Sequence, residues 1–194
     1  MSQNGNVSLA VSVTDNQCPI GETVGHDNIV KAKIPVLSCE GACIRGEIAR
    51  QAANILARRP GFGRACHGEL LTVPKSAIAR WVKTAGQVVL IDGCFLRCHG
   101  RLLENLLGKE QLLQFDALSH YKRYSDLFDP EEVPEAERLE VARDVAAWVA
   151  DAVADPAADS PTRSNGQSCG LPSSRDQGGC CGTATSCQSN ICRT

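Results

Sequence analysis

Residues 88–100 read VVLIDGCFLRCHG, and this stretch decides the fold that the sequence predicts. The first four residues are apolar and three of them are β-branched, as expected for a strand buried on both faces. Asp92 and Gly93 then form a tight turn, and leucines at helical spacing over residues 102–107 continue the chain. The stretch therefore predicts a strand–turn–helix unit with two thiols, Cys94 and Cys98, at its turn. Open α/β sheets bind ligands at the carboxyl ends of strands, and a helix N-terminus stabilises a thiolate there.

A similar unit occurs 55 positions earlier in the chain. Residues 34–38 read IPVLS and predict a strand, and Cys39 and Cys43 follow it with the same spacing as Cys94 and Cys98. Two strands that each feed a helix indicate two parallel strands in one sheet, joined by right-handed crossovers. If these strands are neighbours or next neighbours, both cysteine pairs meet in one crevice of the sheet.

The alternation of strands and helices continues along most of the chain. Helices are predicted over residues 45–58, from Pro74 to Gly86, and from residue 129 to residue 153, and a strand over residues 112–116. This pattern predicts an α/β fold: a single small layered domain, residues 34–154, with a mostly parallel sheet flanked by helices.

The two ends of the chain differ from this domain. Residues 1–33 are predicted to be an extension with a candidate edge strand over residues 7–13 and a loop over residues 18–28. Residues 155–194 contain few large apolar side chains, so we expect a disordered tail. The tail is rich in cysteine and carries Cys169, Cys180, Cys181, Cys187 and Cys192. Two interpretations stay open for these thiols: a flexible arm that collects a soft metal ion, or an extension without a role.

Composition excludes several classes of function. The net charge of −2 argues against a nucleic-acid-binding surface, and no apolar run reaches the ~20 residues of a membrane span. The first residues resemble no secretory signal, so the eleven cysteines are expected in the reducing cytoplasm. Clustered thiols in that compartment more often bind metal or do redox chemistry than form structural disulfides.

The thiols at the predicted turns favour a metal site. Zinc takes four nitrogen or sulfur ligands, and more candidates than four are present, so several must have other roles. The candidates are Cys39, Cys43, Cys66, Cys94 and Cys98, with His67 and His99 beside two of them. Three alternatives stay open: cysteines that only pack as small apolar residues, a thiol redox or sulfur-transfer pair, and histidines that only make hydrogen bonds.

Three polar residues at the turns also have two interpretations each. Arg45 and Arg97 are either surface charges or cations that hold a thiolate or an anion at a helix N-terminus. Asp92 is a turn former, a helix cap, or an acceptor behind a metal ligand.

Ile91-Asp92-Gly93-Cys94, with Cys98 four residues later, resembles the Asp-Gly-Cys (DGC) family of zinc-binding proteins from bacteria and archaea. The resemblance covers about residues 34–153 and implies zinc bound by Cys39, Cys66, Cys94 and Cys98, with no catalytic residue. Cys43, His67 and His99 are further candidate ligands, and Cys43 is a thiol that the family's four-cysteine pattern does not require. The leading hypothesis is a carrier or sensor in metal or metalloid homeostasis. The alternatives are a thiol-based redox or sulfur-transfer enzyme, and an interaction module in which zinc only fixes the turns.

Overall fold

The computed structural model describes residues 8–121 and 133–155 and contains one sheet of four parallel strands. The order across the sheet is β2-β1-β3-β4. The α/β fold with a parallel sheet is therefore confirmed, and β1 and β3 are direct neighbours, one of the two arrangements that the similar units allow. The strands are β1 (Ile34–Ser38), β2 (Phe62–Arg64), β3 (Val88–Asp92) and β4 (Leu112–Asp116).

Helices cover both faces of the sheet. One core cluster joins α2 and α7 to Val89 and Ile91 of β3, and the other joins α3, α4 and α5 to Val88 and Leu90. Every residue of β3 is buried, which explains why its sequence is continuously apolar instead of alternating. The helices are α1 (Pro19–Val30), α2 (Ile44–Leu56), α3 (His67–Thr72), α4 (Ala77–Thr84), α5 (Cys98–Leu103), α6 (Ala117–Tyr121) and α7 (Glu135–Ala154).

Two predictions for the N-terminal extension are wrong. Residues 8–13 form no strand, because Leu9, Val11 and Val13 are exposed and their alternation has no buried face to occupy. The predicted loop over residues 18–28 is instead α1, which Cys18 caps by accepting the N–H of Gly21 at 3.4 Å. Residue 7 lies outside the described residues.

Helix α1 escaped prediction because it packs through glycine. A Cβ on Gly25 would lie 2.5 Å from the backbone carbon of Ala77, so α1 lies directly against the start of α4. Glycine lowers helix propensity and reads as a breaker in a sequence, although here it permits the close approach of two helices.

The remaining boundaries differ from prediction by a few residues. Helix α2 ends at Leu56 instead of residue 58, and α4 covers Ala77–Thr84 within the predicted range from Pro74 to Gly86. Helix α5 ends at Leu103, although leucines at helical spacing continue to residue 107. The predicted helix start at residue 129 and the predicted tail from residue 156 onward lie outside the described residues. Among the described residues, no helix has the length and apolar character to cross a membrane.

Candidate metal centre

The candidate site lies at the carboxyl edge of the sheet, between β1 and β3. The chain leaves β1 toward β2 on one side, whereas β3 leads to β4 on the other, so the strand order reverses at this pair. Such a reversal opens a crevice where ligands bind in α/β sheets. The two loops make close backbone contact there, since a Cβ on Gly93 would lie 2.8 Å from the amide nitrogen of Gly46.

The register of the two strands decides which side chains meet in this crevice. Ser38 pairs with Ile91, and the N–H of Cys39 donates to the carbonyl oxygen of Ile91 at 2.8 Å. One further step along both strands brings Cys39 level with Asp92. The similarity between the two units aligns Cys39 with Cys94 instead. Cys94 lies two residues after Asp92, the residue that the sheet places opposite Cys39.

Three potential metal ligands converge at this point: Cys39, Asp92 and His99. One ligand atom from each lies within 4.8 Å of the other two. Cys39 and Asp92 are buried, and His99 is half-buried. Sulfur, oxygen and nitrogen donors at this separation fit a zinc ion, which binds all three kinds. This convergence makes Asp92 a candidate metal ligand. Its place in the sequence predicted only a turn former, a helix cap or an acceptor behind a ligand.

Asp92 also holds the beginning of α5. Its two carboxylate oxygens accept the N–H groups of His99 and Gly100, each at 3.2 Å. An ionised carboxylate has about four acceptor positions, so these two bonds leave capacity for a metal ion. Asp92 is therefore not the N-cap residue of α5, which is Arg97, but its carboxylate satisfies two N–H groups of the first turn and fixes the backbone of His99 beside it.

Burial makes ionisation of the two acids at this site less favourable. It raises the pKa of Cys39, although the N–H groups of Gly41 and Gly93 oppose the effect. It likewise raises the pKa of Asp92, against the opposing N–H groups of α5, and the Asp92 charge itself raises the pKa of Cys39 further. Two adjacent buried acids of this kind suit a cation, which stabilises both ionised forms at once.

A second histidine lies against the first. The rings of His67 and His99 pack edge to face with centroids 5.0 Å apart. Nε2 of His67 and Nδ1 of His99 are inaccessible to solvent and have no hydrogen-bond partner among the described residues. Burial lowers the pKa of His67 to about 4, so its imidazole is neutral near pH 7, the form that binds metal ions.

The other predicted thiols do not belong to this group of converging ligand atoms. Cys43 is half-buried at the N-cap position of α2 and Cys66 is exposed at the N-cap position of α3, both without a side-chain cap hydrogen bond, and Cys98 is the exposed first residue of α5. Burial raises the pKa of half-buried Cys94, against the opposing N–H of Leu96 and the charge of Arg45. Ligation by Cys66, Cys94 and Cys98 stays a prediction, because the group of converging ligand atoms in the described part of the chain includes only Cys39.

The two predicted cations have different environments. Arg45 acts on Cys94, whose pKa its charge lowers, as the interpretation of a thiolate-holding cation requires. Arg97 has a left-handed backbone with φ 49° and donates from Nε to Gln114 at 2.7 Å. It also pairs with Glu104 at 3.4 Å, so Arg97 secures the loop between β3 and α5.

Sequence reasoning missed Arg64, which organises the loop after β1. Its guanidinium donates to Ser38 Oγ at 2.6 Å and to the carbonyl oxygen of Val36 at 3.0 Å, and it pairs with Glu40 at 3.1 Å. An arginine at the end of a short strand carries no distinguishing signal in a single sequence. Here it crosslinks β2 to the segment that positions Cys39.

The lowered pKa of His67 predicts a pH-dependent stability of the metal-free protein. Between pH 6.5 and about 4 the unfolded chain binds more protons at this residue than the folded chain, so the free energy of unfolding falls as the pH falls. The full shift corresponds to about 3 kcal/mol. Urea denaturation between about pH 7 and about pH 4 should therefore show a shallower loss for His67→Gln than for the wild-type protein.

The raised pKa of Asp92 changes the stability in the opposite direction over part of the same pH range. Asp92 is present in both proteins, so the difference between the wild-type and His67→Gln profiles isolates the contribution of His67. Equal profiles for His67→Gln and wild type would contradict the prediction.

The comparisons with known proteins bear on the family of the chain. No characterised protein and no solved structure matches it. The sequence model of the DGC domain family matches residues 35–138, which is more than half of the chain and includes β1 to β4 with both site loops. The fold, the Asp-Gly-Cys turn and this match agree, and the protein belongs to the DGC domain family.

Proposed function

We propose that this protein binds zinc, or a similar soft metal ion, at the carboxyl edge of its sheet and acts in metal homeostasis or sensing. The observation that carries the proposal is the convergence of Cys39, Asp92 and His99, whose ligand atoms lie within 4.8 Å of one another. A thiolate, a carboxylate and an imidazole are each established zinc ligands. Free thiols persist in a reducing compartment, so we place this activity in the cytoplasm.

Either of two sets of donors would complete the coordination of an ion bound to Cys39. One consists of the thiols Cys66, Cys94 and Cys98, which the family resemblance implies. The other consists of Asp92 and His99, whose ligand atoms converge with that of Cys39, together with His67, which packs against His99. In either set the exposed thiols of Cys66 and Cys98 lie where an incoming ion or a partner protein reaches them, as a carrier or a sensor requires.

The alternative function is thiol-based redox or sulfur-transfer chemistry, and the position of Arg45 near Cys94 favours it. Thiol exchange requires the thiolate, however, and burial raises the pKa of both Cys39 and Cys94. A bound metal ion displaces the thiol proton directly. The metal-binding function therefore has the stronger physical support.

Metal analysis of the full chain, purified without oxygen, tests the proposal. We expect about one zinc ion per chain. Loss of zinc from a Cys94→Ser/Cys98→Ser variant that stays folded would support a carrier, whereas loss accompanied by unfolding would support a structural ion. Metal-free protein with a titratable thiol of low pKa would overturn the proposal in favour of the enzyme.

A variant that ends before residue 155 addresses the cysteine-rich tail. If the tail collects ions for the folded site, the variant should keep its tightly bound zinc and lose any additional, weakly bound ions. An unchanged stoichiometry would instead support a tail without a role in metal binding.

A further inference from the structure

The imidazoles of His67 and His99 lie in helices that follow different strands, yet their half-buried rings are in contact. His67 begins α3 after β2, and His99 lies in the first turn of α5 after β3. The two rings pack edge to face with centroids 5.0 Å apart. The strands that precede them, β2 and β3, lie on opposite sides of β1 in the sheet. The loop that follows β1 carries Cys39, so the three loops supply donors to the same crevice.

Each ring carries one nitrogen that lacks a hydrogen bond. Nε2 of His67 and Nδ1 of His99 are shielded from solvent and have no partner in the described part of the chain. A buried polar atom without a partner costs about 1–3 kcal/mol, and a bound water or ion is one of the ways in which proteins satisfy such an atom. The ring of His99 also belongs to the group of converging ligand atoms. His67 packs against that ring without belonging to the group, so its side chain must move inward to reach an ion held there.

We propose that the resident ion is held by a mixed set of donors, namely one sulfur from Cys39, one oxygen from Asp92 and the nitrogens of His99 and His67. This inference rests on the proposed metal-binding function and differs from the four-thiolate set that the family resemblance implies. Four donors of these types satisfy the tetrahedral preference of zinc. Asp92 performs two tasks in this arrangement, because it binds the ion and fixes the backbone of His99 through its hydrogen bond.

The mixed set leaves four of the five candidate thiols between residues 39 and 98 without an ion. They are Cys43, Cys66, Cys94 and Cys98. Two of the four are exposed at the same edge of the sheet, so they are available to exchange an ion with the site. One thiolate also binds a soft ion less firmly than four, which suits a protein that releases its metal.

Cobalt substitution distinguishes the two donor sets. Full-length protein is loaded with Co²⁺ alone, and the intensity of the thiolate-to-cobalt charge-transfer band is measured per bound ion. A site with one thiolate should show about a quarter of the intensity of a tetrathiolate site. In parallel, zinc should protect one thiol from alkylation, whereas a four-thiolate site would protect four.

Substitutions at exposed positions keep the test independent of folding. Cys66→Ser and Cys98→Ser should leave the band unchanged, while His67→Gln should weaken zinc binding at least about tenfold and His26→Gln should leave it unchanged. A strong band that falls in the two serine variants would overturn the mixed set and keep the metal-binding function. Absence of bound cobalt and zinc in the wild-type protein would overturn both.

Discussion

Replacing Cys39 with serine is expected to lower the affinity for zinc by about a hundredfold or more. Cys39 is the donor common to both ligand sets, and it belongs to the group whose ligand atoms lie within 4.8 Å of one another. A serine hydroxyl is a poor zinc ligand at neutral pH because it keeps its proton, whereas a thiol loses its proton on binding. Competition with a chromophoric zinc chelator measures the change.

Cys18→Ser is the matched control for this substitution. Cys18 is exposed and caps α1, a position where serine is a favoured residue, so the control should fold and bind zinc as the wild-type protein does. Unfolding in urea shows whether Cys39→Ser keeps its fold. Wild-type affinity in folded Cys39→Ser would contradict both the proposed site and its ligand assignment.

Replacing Gly93 with alanine is expected to lower the free energy of unfolding by about 1–3 kcal/mol and to weaken zinc binding as well. The added Cβ would lie 2.8 Å from the amide nitrogen of Gly46, in the first turn of α2. The new Cβ would meet backbone atoms, which cannot rotate aside as the end of a long side chain can. The segments that follow β1 and β3 must therefore separate. Their separation would draw Cys39 away from Asp92. Denaturation in urea and chelator competition measure the two effects.

Gly86→Ala provides the control for the added methyl group. A Cβ at Gly86 meets no atom within 4 Å, so this variant should keep wild-type zinc affinity and at least wild-type stability. If Gly93→Ala behaved like Gly86→Ala, the close contact of the two loops would not be needed for the site. The expected difference also gives a physical reason for glycine in the Asp-Gly-Cys turn: only glycine permits this approach of β3 to α2.

Local signals in the sequence account for the elements that were predicted correctly. The apolar runs of β1 and β3 each extend over a few residues, so their structures follow from short windows of sequence. The strand predicted over residues 112–116 coincides with β4. Helix α1 was missed because its contacts with α4 are made through glycine, whose favourable packing is visible only when the second helix is present.

The candidate site shows a similar division. Cys39 was predicted as a ligand from its position after an apolar strand, and His67 and His99 were named as further candidates. Asp92 was predicted only as a turn residue, a cap or an acceptor behind a ligand, since an aspartate before glycine is common in turns. Its place among the converging donors depends on the pairing of Ser38 with Ile91, which no short window of sequence reveals.

The sequence by itself determined a parallel α/β sheet with thiols at the carboxyl ends of its strands, because apolar runs, turns and helix periodicity are local properties of the chain. Tertiary structure alone decided which of those groups meet. The register of β1 against β3 sets Cys39 level with Asp92 instead of Cys94, and the packing of α3 and α5 brings the two imidazoles together. Residues about 30 to 60 positions apart become neighbours only through strand pairing and helix packing. Those contacts determine which of the many candidate donors in the sequence lie together at the site.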